Sequence, residues 1–117
     1  MVDFDRMEAL GVDREQASKR FLGNMDFYQK CINIYFKTDN ISKLERLCAE
    51  KNWDKALDCA HTLKGSSGNM AFVSLFKIYS EMTEYFRVGD TEAALSLLPS
   101  AVELEKELRK AAGFHNN

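Results

Sequence analysis

The sequence predicts an all-α protein, an up-and-down antiparallel four-helix bundle with a short additional N-terminal helix. Three observations carry this expectation. Apolar residues recur at helical spacing in segment after segment, short connections separate the segments, and no strand-like alternation runs long enough to compete. With 117 residues, 45% of them apolar and 29% charged, the chain forms one globular domain whose core needs no disulfide or metal staple.

Residues 1–12 read as an N-terminal arm, in which Leu10 and Val12 can belong either to the core or to a partner surface. The bundle domain spans residues 13–112. Asp13 is the N-cap of a short helix that reaches Phe21, where Gly23-Asn24 interrupts it. A second helix runs from Met25 to Lys37 with Phe27, Cys31, Ile34 and Tyr35 on one stripe. Asn40 caps the third, whose Ile41, Leu44, Leu47 and Cys48 repeat at helical spacing before Lys51-Asn52 closes it. The fourth spans Trp53–Asn69, the fifth runs from Ala71 or Phe72 to Val88, and the sixth follows the Gly89-Asp90 turn from Thr91 to Ala112. Pro99 removes a backbone hydrogen bond inside that last helix and predicts a kink or break, although apolar spacing continues through Ala101, Val102, Leu104 and Leu108. Residues 113–117 read as a frayed tail.

Composition excludes several function classes. A formal charge of −2 and a pI near 5.7 lack the clustered Lys/Arg surplus that neutralises a phosphate backbone, so no nucleic-acid partner is expected. The longest apolar runs are too short to cross a membrane, and the acidic Met1-Val2-Asp3-Phe4-Asp5 start does not resemble a leader peptide, so the expected compartment is the cytoplasm. Cys31, Cys48 and Cys59 are an odd, widely spaced set that fits neither a disulfide framework nor a zinc cluster. Cys31 and Cys48 read as small core residues and Cys59 as a spectator thiol.

The chemistry concentrates in His61-Thr62-Leu63-Lys64-Gly65-Ser66-Ser67-Gly68-Asn69. A glycine in a helix interior costs about 1 kcal/mol relative to alanine, so two of them, one and two turns past a histidine, need a reason. Advancing about 100° per residue places Trp53, Ala56, Ala60, Leu63 and Ser67 on the core stripe and puts His61 about 120° from its centre, facing solvent. Within roughly 60° of His61 fall Asp54, Leu57, Asp58, Lys64, Gly65 and Gly68. An imidazole in water is mostly unprotonated near neutral pH and can attack phosphorus. Lys64, at i+3, can neutralise phosphoryl oxygens as a flexible point charge, while Gly65 and Gly68 remove bulk where a partner's active site must approach. The histidine is thus presented to another protein rather than enclosed in a pocket.

The run His61-Thr62-Leu63-Lys64-Gly65-Ser66-Ser67 resembles the signature of histidine-containing phosphotransfer (HPt) domains, the four-helix-bundle carriers of multistep phosphorelays. Asp13 to Tyr28, around Gly23-Asn24, is similar to the N-terminal segment of bacterial members. Asn52-Trp53-Asp54 resembles the loop that opens their histidine helix, and Val88-Gly89-Asp90 their later turn. The chain departs from the family at Ala71-Phe72, where bacterial members usually carry Gly-Ala or similarly small residues. The resemblance implies that His61 is the phosphoacceptor, that Lys64 stabilises phosphoryl charge, and that Gly65 and Gly68 clear the docking surface; Leu57 and Asp58, which share the His61 face on the helical wheel, complete the expected docking face. The resemblance further implies that the partners are receiver domains of response regulators and hybrid sensor kinases. These domains supply the aspartate and the Mg²⁺, and this chain binds no cofactor or metal of its own. A monomer is expected, with no autonomous kinase activity, since no glycine-rich nucleotide loop is present.

Blander readings stand beside these. Ser66 and Ser67 have no acid–base partner at useful spacing and read as small packing residues. Asp58 and His61 form an i, i+3 pair, but a di-metal bundle site needs a second such pair, and the other histidine, His115, lies in the tail. Phe72, Phe76, Tyr79, Tyr85 and Phe86 are core residues for the most part, some of them covering an apolar rim beside Leu57. Lys43, Arg46, Lys51 and Lys55 form a solvated face. The functional alternative is a noncovalent helical-bundle adaptor that binds receiver or kinase domains without carrying phosphate.

Overall fold

The structure, a computed structural model, describes residues 2–114. Among them lie seven helices: α1 (Phe4–Ala9), α2 (Arg14–Arg20), α3 (Met25–Lys37), α4 (Asn40–Ala49), α5 (Trp53–Asn69), α6 (Val73–Arg87) and α7 (Thr91–Ala111). The helix starts follow from short polar side chains. Asp3, Asp13, Asn24, Asp39, Asn52 and Asp90 each accept a hydrogen bond from the backbone N–H three residues on. Each such cap satisfies a donor that the helix itself leaves free and is worth about 1 kcal/mol over alanine. Asp39, not Asn40, caps α4: its carboxylate accepts from the Ser42 N–H at 3.1 Å and the Ser42 hydroxyl at 2.8 Å, so the helix already includes Asn40.

Helices α4 to α7 form the expected bundle, each packed on the next and α7 returning to α4. Their shared interior holds Leu44 and Leu47, Ala56, Ala60 and Leu63, Leu75, Tyr79 and Met82, and Ala94, Ala101 and Leu108. Each fully buried large side chain contributes roughly 1.5–3 kcal/mol, and the alanines of α5 and α7 let backbones approach closely. Helix α7 continues through Pro99 without the break that the proline suggested. Both Pro99 and Leu95, whose carbonyl loses its donor to the proline, are exposed, so water can satisfy the freed group.

Helix α3 adds a fifth element, rotated from its expected face. Tyr28, Ile32 and Phe36 are buried, whereas Phe27 and Ile34 are largely exposed and Cys31 and Tyr35 half-buried. Apolar residues surround this helix, and tertiary partners decide among them. The Tyr28 hydroxyl donates to the Met70 carbonyl at 2.7 Å, and Phe36 packs on Phe72 with its carbonyl accepting from Arg109 at 2.6 Å. Cys31 is therefore not a core residue. Cys48 is, and Cys59 joins it, buried with its thiol directed at the Asn40 carbonyl. Burial pushes both thiols up from their ordinary values, which disfavours the reactive thiolate form.

The N-terminal segment is more than an arm. It contains α1, buries Val2, Met7 and Val12 in the core, and half-buries Leu10 against it. Its backbone is stitched to the α5–α6 turn, with the Asp13 N–H donating to the Ala71 carbonyl at 2.9 Å and the Ser74 N–H to Gly11 at 3.3 Å. At the other end, Gly113 and Phe114, expected to belong to a frayed tail, lie against the helices. Phe114 packs on Phe36, under the Arg109 guanidinium. Residues 115–117 lie outside the described residues.

The α5–α6 turn accounts for Ala71-Phe72. Ala71 is fully buried with φ +60°, the left-handed conformation that ends α5. Phe72, 1% exposed, sits between Tyr35 and Phe36 with ring centroids at 5.0 and 5.9 Å. Its bulk is filled by α3, which crosses this end of the bundle.

Candidate functional site

The site is built on α5. Asn52 caps its first turn, Trp53 packs on Phe86, and Ala56, Cys59, Ala60, Leu63 and Ser67 bury its inner side. That backing holds the opposite side rigidly toward solvent. There His61, Asp54, Asp58 and Gly65 are exposed, while Leu57, Lys64 and Gly68 are half-buried. The strip read from the helical wheel is thus assembled as one continuous surface. The Ser67 hydroxyl is buried and donates to the Lys64 carbonyl at 3.1 Å, which accounts for it as a packing residue. Among the described residues no carboxylate lies within ion-pair distance of His61 or Lys64. Both remain available to an incoming group.

The two glycines serve different purposes. A Cβ on Gly65 meets nothing within 4 Å, so bare backbone faces solvent one turn from His61. A Cβ on Gly68 would lie 2.9 Å from Cδ1 of Phe76, so this glycine admits the Phe76 ring against α5 rather than leaving the surface empty. Phe76 and Tyr85 are each 38% exposed, and Phe72, Tyr79 and Phe86 are the buried members of the aromatic set. Lys43, Arg46, Lys51 and Lys55 are solvated as expected.

Beyond Gly68 the surface falls into a groove of about 220 Å³ lined by Gln16, Arg20, Gly68, Phe72, Val73 and Phe76. The α2 wall was not legible in the sequence, because residues 16 and 20 come to the histidine helix through the long-range backbone stitch of residues 11–13 to the α5–α6 turn. The i, i+4 spacing of Gln16 and Arg20 places them on one face of α2, but no local signal tells what that face meets.

A family model described as the Hpt domain matches residues 38–113, well over half of the chain. The chain belongs to the Hpt family. Histidine phosphotransfer in phosphorelays, as a carrier that works with receiver domains, is therefore its general role. The Hpt match takes in α4 to α7, the closed bundle, and leaves α1 to α3 outside it. No curated protein and no solved structure matches the chain. Among the described residues of this Hpt chain, no helix is long and apolar enough to cross a membrane.

Proposed function

We propose that the chain is a phosphorelay carrier in which His61 accepts a phosphoryl group from a receiver-domain phospho-aspartate and passes it to an aspartate of another response regulator. The observation that carries this reading is the exposed imidazole on a rigid helix, with a cation one turn on and bare Gly65 backbone beside it. In the forward step an imidazole nitrogen attacks phosphorus, the P–N bond forms, and the P–O bond to the receiver's aspartate breaks to release its carboxylate. The second receiver reverses the sequence. Such transfer needs positioning and charge neutralisation more than acid–base chemistry. Lys64 supplies part of the neutralisation, and the Mg²⁺ expected in the receiver supplies the rest.

The test is incubation of the pure chain with phosphorylated receiver domains. Acid-labile, base-stable label is expected on the chain. His61→Gln should retain the helical circular dichroism and take up no label. Label at the wild-type level in that variant moves the acceptor elsewhere, and receiver binding without label on the wild type would favour the noncovalent adaptor.

A further inference from the structure

We infer that the groove between α2 and the α5–α6 turn selects among receivers. It would take an apolar side chain of the receiver while Arg20 pairs with a carboxylate beside it. The inference rests on the phosphocarrier reading above.

Position comes first. Gly68 follows His61 by seven residues, two helical turns, so the groove opens about 10 Å along α5 and within about 20° of the same line. A standard interface covers about 800 Å² on each partner, a patch roughly 30 Å across. A receiver centred on His61 therefore covers the groove as well. The surface between them is continuous, because nothing rises from Gly65.

The lining then states what fits. Val73 and Phe76 are 42% and 38% exposed and form an apolar wall and floor with Phe72. At the rim stands Arg20. Arg6, Arg14 and Arg87 are held by carboxylates, whereas among the described residues Arg20, like Arg46 and Arg109, has none within ion-pair distance, and Arg20 is the one of these three that lines this groove. A guanidinium presents a planar fork suited to a carboxylate, and an interfacial rim charge governs discrimination and encounter more than bulk affinity. Asp54 and Asp58 lie toward the other end of the strip, so the face is polar along its length and favours one orientation of an oppositely patterned partner.

The wall is also held in place. Asp13 caps α2 through the Gln16 N–H at 2.9 Å, and its own N–H bonds to Ala71 in the turn that ends α5. Gln16 and Arg20 therefore keep a fixed relation to the histidine helix. Both lie outside the family-matched residues 38–113. The matched bundle carries the acceptor, and the preceding segment adds the discriminating wall.

The experiment uses the full chain and a panel of receiver domains loaded by a small-molecule phosphodonor with Mg²⁺. Transfer rates are measured against receiver concentration at low and moderate salt. For the fastest receiver, Arg20→Glu should raise the apparent KM tenfold or more, leave the saturating rate within about twofold, and remove most of the salt dependence. Arg20→Lys should recover part of the loss. Val73→Trp, which fills the groove without touching the charge, should raise the same KM. Lys106→Glu, in a separate groove beside α4 and α7, should behave as wild type. Unchanged KM in both Arg20→Glu and Val73→Trp overturns the inference, as does an equal loss with every receiver. If the wild-type chain accepts phosphate from no receiver, the phosphocarrier reading itself has failed, a result distinguishable from either.

Discussion

A methyl group added at Gly65 meets no atom within 4 Å, whereas the same methyl at Gly11 would lie 1.8 Å from the Ser74 Oγ and 2.7 Å from its Cβ. Gly11 also has φ +92°, a conformation that side chains rarely adopt. Opposite responses follow. Gly65→Ala should stabilise the domain by up to about 1 kcal/mol, because alanine is the better helix former and nothing resists it. Gly11→Ala should destabilise by about 2–3 kcal/mol through combined clash and backbone strain. Denaturant titration of both variants reads the two signs directly. A long side chain at the first position separates stability from function. Gly65→Gln should keep or raise the melting temperature yet slow transfer from a receiver tenfold or more, since displacement of reacting atoms by about 1 Å can cost about 10²-fold. Wild-type transfer in that variant would show that this strip is not the docking face.

At the level of helices, termination is as informative as initiation. Lys51 closes α4 at φ +56°, with its N–H bonded to Cys48 at 3.0 Å and the next N–H to Leu47 at 2.9 Å. That bond pattern is normally completed by glycine, and lysine adopts it at a cost. Because Lys51 is exposed and makes no ion pair among the described residues, Lys51→Gly should stabilise by about 0.5–1 kcal/mol. The check is a higher urea midpoint at unchanged slope. The bounds of α5, the Asp13 cap and the Gly89-Asp90 turn were legible because each depends on residues within one or two turns of one another. The face of α3 was not, since apolar residues encircle it and only the Met70 carbonyl and the Phe72 ring select Tyr28 and Phe36 as its inner members. Six-residue α1 is too short for periodicity to reveal, and Val12 and Met7 are core residues only because the arm folds back on the α5–α6 turn.

Across the whole molecule, the histidine strip lies on a single helix and could be drawn from spacing alone, whereas the contacts that tie α3 to the bundle join residues far apart in sequence. Glu105 of α7 is the centre of one such contact. It is 7% exposed and accepts from the Tyr35 hydroxyl of α3 at 2.6 Å and the Tyr79 hydroxyl of α6 at 2.9 Å. Burial raises its carboxyl above the ordinary value of 4.5, and the two tyrosine hydrogen bonds offset that only in part. In the unfolded chain the same group titrates as an ordinary glutamate. Between its unfolded and folded values the native state therefore holds more protons than the unfolded one, so stability falls as pH rises through that window and is fully recovered below it. Each tenfold difference in proton affinity corresponds to about 1.4 kcal/mol. Glu105→Gln keeps an acceptor oxygen for the tyrosines and cannot titrate. Any fixed packing cost of the amide is the same at every pH, and the other acidic residues contribute equally to both proteins. The melting temperature of Glu105→Gln minus that of the wild type should therefore become more positive from pH 4.5 to pH 8, by about 4–8 °C for each kcal/mol in a domain of roughly this size. A difference that stays constant over this range, or that declines, would mean that the Tyr35–Glu105–Tyr79 contact holds an ordinary carboxylate.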